Sequence, residues 1–198
     1  MTDHLDPNEV LAGYRKGIFP MAYADNPVYS WHLPERRGIL PLQHFHASRS
    51  LARTLKQQRF SVTIDTAFEQ VMRACASRGT DDPDNTWITE GIIEVYTGLH
   101  RSGHAHSVEV WVDGELAGGT YGIHLGAAFF AESKFHTVRD MSKVALASLV
   151  EHLRSKNFQL LDVQYWTPHL DQFGVIEVDR NEYYWQLREA LKKECSFL

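Results

Sequence analysis

The sequence predicts an α+β fold on a mixed, largely antiparallel sheet. The segment HSVEVWV-DG-ELAGGTYGI (residues 106–123) alternates apolar and polar side chains on both sides of Asp113-Gly114, the dipeptide that a type I′ hairpin favours. After a turn at Leu125-Gly126, AAFFAES supplies a third antiparallel strand. The apolar period then lengthens to that of a helix from Asp140 to Lys156, followed by the apolar strand FQLLDVQ (residues 158–164) and a last helix. Hairpins followed by helix, strand and helix are segregated rather than strictly alternating, which is the α+β pattern. With 198 residues and 43% hydrophobic content, the chain is long enough to bury a core, as one domain or one domain with an appendage.

The elements follow in order. Asp6 and Pro7 suit the N-cap and first position of a helix over Asn8–Lys16, which Gly17 stops. GIFPMAYADNPVYSWHLPERRGILP is rich in Pro, Gly and aromatics, so a compact irregular region is expected there rather than a sheet. A helix over Ser48–Gln58 places Arg49, Arg53 and Lys56 on one face. FSVTID reads as a strand, Thr66–Arg78 as a helix, GTDDPDNT as a loop, and Glu90–Arg101 as a helix capped by Thr89. Gly118 and Gly119 in the second hairpin strand suggest a bulge or a close backbone approach. The last helix spans Asn181–Lys193, after a loop with Pro168 and Gly174.

Composition narrows the chemistry. No apolar run reaches membrane-spanning length and MTDHLDPNEV has no signal-peptide character, so a cytosolic protein is expected. Cys75 and Cys195, far apart and without metal-ligand spacing, are expected as free thiols. His44-x-His46 and His104-x-His106 lack a third ligand at zinc spacing, so neither a metal nor any cofactor is expected. There is no phosphate loop, dinucleotide fingerprint or nucleophile elbow. The net charge of −5 argues against a surface that coats nucleic acid, yet residues 35–59 carry six Lys or Arg against one acid. Arg36, Arg37, Arg49, Arg53 and Lys56 therefore stand as a candidate phosphate-contact stripe, against the plainer reading of a solvated helix face. Polar residues set in apolar strands remain: Glu132, Asp162 and Gln164. Carboxylates and an amide without nucleophile or metal suit acyl transfer by direct attack of an amine, although on the residues alone a buried polar network that merely holds the sheet is the better-supported reading.

GYRKGIFPM, SWHLPERRGIL, HASRSL, NTWITEGIIEVYTGLHRSGHAHSVEVW, GGTYG, FFAES, SKVAL and LLDVQ resemble, in order, the motifs of the leucyl/phenylalanyl-tRNA–protein transferase family. The resemblance runs from about Leu11 to Tyr184. It implies a small N-terminal domain with the basic helix, placed at residues 1–60, and a GNAT-like acyltransferase domain at 61–198. It also implies transfer of Leu, Phe or Met from aminoacyl-tRNA to proteins that begin with Arg or Lys, marking them for degradation. By the same resemblance Asp162 matches the carboxylate that draws the proton from the incoming amine, or positions it, Gln164 the amide beside it, and Glu132 a carboxylate that contacts amino groups. Phe129, Leu146, Leu153 and Leu161 would line the aminoacyl pocket, and Trp87 would lie beside the terminal adenosine of the tRNA.

Several departures fall at pocket positions, and others at Ala131, His136 and Gln172-Phe173. Met21 stands where the family usually has a Trp beside the adenosine, a loss of about 1–3 kcal/mol of stacking. Thr120 stands where a Met is common and Leu153 replaces a Phe, so the aminoacyl preference is open. Two other functions are weighed against this one. An acetyl-CoA-dependent N-acetyltransferase should show a glycine-rich loop before Asp140, and HTVRD is not glycine-rich. A non-catalytic tRNA- or peptide-binding module would keep the surfaces without the chemistry.

Overall fold

The computed structural model describes residues 5–23, 26–77 and 86–198. Helix α1 (Pro7–Arg15) starts where Asp6 accepts the N–H groups of Asn8 and Glu9, with Pro7 where no N–H needs a partner. The next stretch departs from the irregular region expected from its composition. Phe19–Tyr23 (β1) pairs with Asn26–His32 (β2) as an antiparallel hairpin, and Arg36–Ile39 (β3) joins the main sheet. Prolines are tolerated in the small sheet because both of its strands are edges, so a missing N–H breaks no second ladder. Trp31 lies on Gly13 of α1, where even a Cβ would come within 2.2 Å of the indole.

Ser48 caps α2 (Arg49–Gln57) by accepting the Leu51 N–H. The strand β4 (Ser61–Ile64) and the helix α3 (Phe68–Ala76) follow; the expected loop over residues 79–86 lies almost wholly outside the described residues. Thr89 caps α4 (Glu90–Arg101) as expected. The hairpin is β5 (Ala105–Val112) and β6 (Glu115–Leu125), with Asp113 and Gly114 both at positive φ, 52° and 84°, as a type I′ turn demands. It continues into β7 (Ala128–His136), α5 (Met141–Ser155) and β8 (Leu160–Gln164). The expected loop beyond β8 contains a short helix, α6 (Pro168–Asp171), and a strand, β9 (Ile176–Asp179), before α7 (Arg180–Leu191). IEVD buries only Val178, which leaves too little apolar alternation to announce a strand; β9 is held by its pairing with β3.

The main sheet runs β4-β5-β6-β7-β8-β3-β9, antiparallel throughout except for the parallel pair β7–β8. β3, from the first sixty residues, is hydrogen-bonded on both sides inside this sheet. One face is covered by apolar side chains of α1, α3, α4 and α7, the other by α5 with Leu51 of α2. Gly118 lets α5 start directly on the sheet, since a Cβ there would meet Met141 at 2.7 Å.

Candidate active site

The parallel ladder between β7 and β8 pairs Ala128 with Leu160, Phe129 with Leu161 and Phe130 with Asp162, then stops. Two residues beyond that last pair, where the strands have parted, come Glu132 on β7 and Gln164 on β8. A β-bulge causes the parting: Tyr121 of β6 faces Ser133 while Gly122 faces Ala131, so Glu132 is the extra residue. The bulge swings the Glu132 carboxylate across the opening, where its Oε1 accepts the Gln164 Nε2–H at 2.9 Å. The same oxygen accepts the hydroxyl of Tyr14 at 2.6 Å. With its proton committed to Glu132, Tyr14 takes a second bond at 2.8 Å from the Tyr96 hydroxyl. Burial pushes the Glu132 carboxyl up to about 8, and the Asp162 carboxylate adds to this; the bonds from Tyr14 and Gln164 and the Arg37 cation pull it back.

Asp162 is wholly buried, and its oxygens are filled by protein groups. Arg37 Nε and Nη2 reach it at 2.9 and 2.7 Å, Tyr183 donates at 2.5 Å, and the backbone N–H of Gln164 donates at 2.8 Å. Arg37 is sandwiched between the rings of Phe19 and Tyr183, 4.5 and 4.7 Å from their centroids, and its Nη1 donates to the Gly17 carbonyl. Burial alone would lower the Arg37 pKa; the Asp162 carboxylate more than offsets that and keeps the guanidinium charged. A buried pair with every polar atom satisfied orients strands, whereas a base must have room to receive a proton.

Comparison with known proteins settles the family. The model of the leucyl/phenylalanyl-tRNA protein transferase matches residues 39–188, and that of its N-terminal domain matches 3–35. A leucyl/phenylalanyl-tRNA–protein transferase of Herpetosiphon aurantiacus is 48% identical over 198 residues, 100% of each chain. One from Paramagnetospirillum magneticum is 52% identical over 190 residues, 95% of this chain and 90% of its own. The chain belongs to the leucyl/phenylalanyl-tRNA–protein transferase family. Among solved structures, FemX is similar at a TM-score of 0.51 and 11% identity, over 83% of this chain and 60% of FemX, a likeness of fold alone. The fold is the GNAT-like, mixed and largely antiparallel one that the resemblance implies.

For a transferase of this family, the expected site residues are not all brought to one place. Glu132, Gln164, Thr120 and Leu146 line one cleft of about 140 Å³, together with Ser133, Lys134, Val163 and Leu170. Asp162 does not line this cleft and touches it through the Gln164 backbone N–H, which it accepts. Phe129, Leu153 and Leu161 are buried with Leu146 in the apolar cluster under α5, while Met21 and Trp87 pack partly buried against the opposite cluster. A larger groove, about 900 Å³, lies between α2, β4 and α5 but holds none of the polar network.

The basic stripe is not continuous. Arg49, Arg53 and Lys56 are exposed on α2, and Arg36 is exposed and paired with Glu177 at 3.0 Å. Arg37, expected to touch tRNA, is a correction: it is 2% exposed and committed to Asp162. Successive strand residues face opposite sides, so in β3 only one member of the Arg36-Arg37 pair reaches solvent. That alternation was available in the sequence; the partner was not. Tyr14, Tyr96 and Tyr183, also missed, sit on the apolar stripes of their helices and read as core.

Proposed function

We propose that this chain transfers leucyl, phenylalanyl or methionyl groups from aminoacyl-tRNA to the α-amine of acceptor proteins that begin with Arg or Lys, marking them for degradation. The observation that carries this reading, beside family membership, is the Glu132–Gln164 pair closing the open end of the β7–β8 ladder at a cleft. In the reaction the amine nitrogen forms a bond to the ester carbonyl carbon, the bond to the tRNA 3′-oxygen breaks, and that oxygen leaves as the 3′-hydroxyl. The proton given up by the amine goes to ionised Glu132, whose raised pKa makes it a better acceptor than an ordinary carboxylate, and passes from there to the departing 3′-oxygen, which leaves Glu132 ionised again. Gln164 holds the Glu132 oxygen and lines the same cleft, within reach of the reacting groups. Asp162 acts as a positioning residue: through Arg37 and Tyr183 it anchors the end of β8 and hence the Gln164 backbone.

Thr120 and Leu146 would meet the aminoacyl side chain, with Phe129, Leu153 and Leu161 packed behind them, and Met21 and Trp87 would flank the terminal adenosine. The exposed face of Arg49, Arg53 and Lys56 offers sites for tRNA phosphates. No helix among the described residues is long and apolar enough to cross a membrane, and a cytosolic location is part of the proposal. The test is transfer of labelled leucine from leucyl-tRNA to an Arg-initiated peptide. Glu132→Gln and Gln164→Ala should each lower the rate by ~10²–10⁴-fold with tRNA affinity kept. Unchanged rates, or transfer from acetyl-CoA in its place, overturn the reading.

A further inference from the structure

The segment that follows β8 forms the rim of the cleft. Gln164 at its start and Leu170 near its end both line the cavity, and the residues between them are exposed. The rim is held in place. Gly38 lies under it, where a Cβ would come within 2.5 Å of the Tyr165 carbonyl carbon and 2.7 Å of the Trp166 nitrogen. Tyr165 packs edge-on to Phe19, and the Thr167 side chain accepts the Leu170 N–H. Out of this fixed loop stand two large aromatics, Tyr165 at 43% and Trp166 at 39% exposure. The indole N–H of Trp166 donates to Oδ1 of exposed Asp171 at 3.1 Å. That bond fixes the ring beside a carboxylate whose other oxygen takes no hydrogen bond, and which makes no ion pair, among the described residues. Residues 164–174 contain no Lys or Arg.

We propose that Trp166 and Asp171 form a cation subsite on the cleft rim that receives the basic side chain of the acceptor's first residue. An indole face and an uncompensated carboxylate side by side attract a guanidinium or ammonium group by cation–π and charge–charge terms together. The same carboxylate repels a phosphate backbone, so the occupant belongs to the protein acceptor and not to the tRNA. The subsite rests on the aminoacyl-transfer reading: an acceptor whose α-amine reaches Glu132 and Gln164 lays its first side chain toward this rim.

The experiment compares leucine transfer to two peptides that differ only in the first residue, arginine or its neutral isostere citrulline. The wild type should prefer arginine in kcat/KM. In Asp171→Asn the arginine peptide should lose about tenfold and the preference should collapse, with the KM for leucyl-tRNA unchanged. Asp171→Glu should keep the preference, and Trp166→Leu should weaken arginine more than citrulline. A wild type that transfers to neither peptide overturns the aminoacyl-transfer reading and the subsite with it. Transfer with the arginine preference intact in Asp171→Asn overturns the subsite alone, as does a rise in the leucyl-tRNA KM in Trp166→Leu with the peptide preference kept.

Discussion

At the scale of single residues, Glu132 and Asp162 are two carboxylates with opposite surroundings. Glu132 faces a cleft and holds its proton to about pH 8, whereas Asp162 is sealed by Arg37, Tyr183 and a backbone N–H. The raised group sets the sign of a stability effect. Between the ordinary 4.5 and about 8 the folded chain keeps a proton that the unfolded chain has lost, so stability falls as pH rises through that window. Urea unfolding at several pH values should show this fall in the wild type and a flatter profile in Glu132→Gln. The Tyr14 hydroxyl stabilises the ionised form, so Tyr14→Phe should move the rising limb of transfer activity to higher pH. Arg37→Met leaves Asp162 in the interior without its counter-ion, and unfolding should register a loss of roughly 3–5 kcal/mol.

At the scale of elements, the site exists because two strands stop pairing. The parallel ladder ends at Phe130 and Asp162, and the bulge at Glu132 opens the gap that Gln164 spans. Gly122 makes the bulge possible: a Cβ there would lie 2.2 Å from the Phe130 carbonyl oxygen and 2.5 Å from the Phe129 ring. Gly122→Ala should therefore cost about 1–3 kcal/mol in thermal or urea unfolding, and transfer should fall further than this loss explains, because Glu132 is re-aimed. The double glycine was legible in the sequence as a mark of close approach, and Gly118 under α5 answers to it. Nothing in the alternation of β7 showed that Glu132, one of several polar residues at its end, would be the extra residue.

At the scale of the whole molecule, the N-terminal segment is wired into the main sheet. Tyr14 of α1 reaches Glu132 across 118 positions, Gly17 accepts from Arg37, and β3 lies between β8 and β9. Charge is distributed at the same scale: an acidic chain carries three exposed cations along α2. Arg49→Glu with Arg53→Glu should weaken tRNA binding at low salt. The same pair should flatten the slope of log affinity against log salt by roughly one for each phosphate no longer neutralised. Filter binding across a salt series reads this directly, and an unmoved low-salt affinity would mean the face is merely solvated.

Local structure and family membership were legible in the order of the residues alone. Caps at Asp6 and Thr89, the Asp113-Gly114 turn, the period of α5 and the ordered motifs each depend on residues a few positions apart. Which group partners which was set by the three-dimensional fold. Asp162 meets Arg37 over a separation of 125 residues, and Tyr183, Tyr14 and Tyr96 turn hydroxyls from apolar helix faces onto carboxylates and onto one another. Those pairings follow from strand order and from one bulge. Local periodicity carries no trace of either, because it records which face a side chain takes and not what waits there.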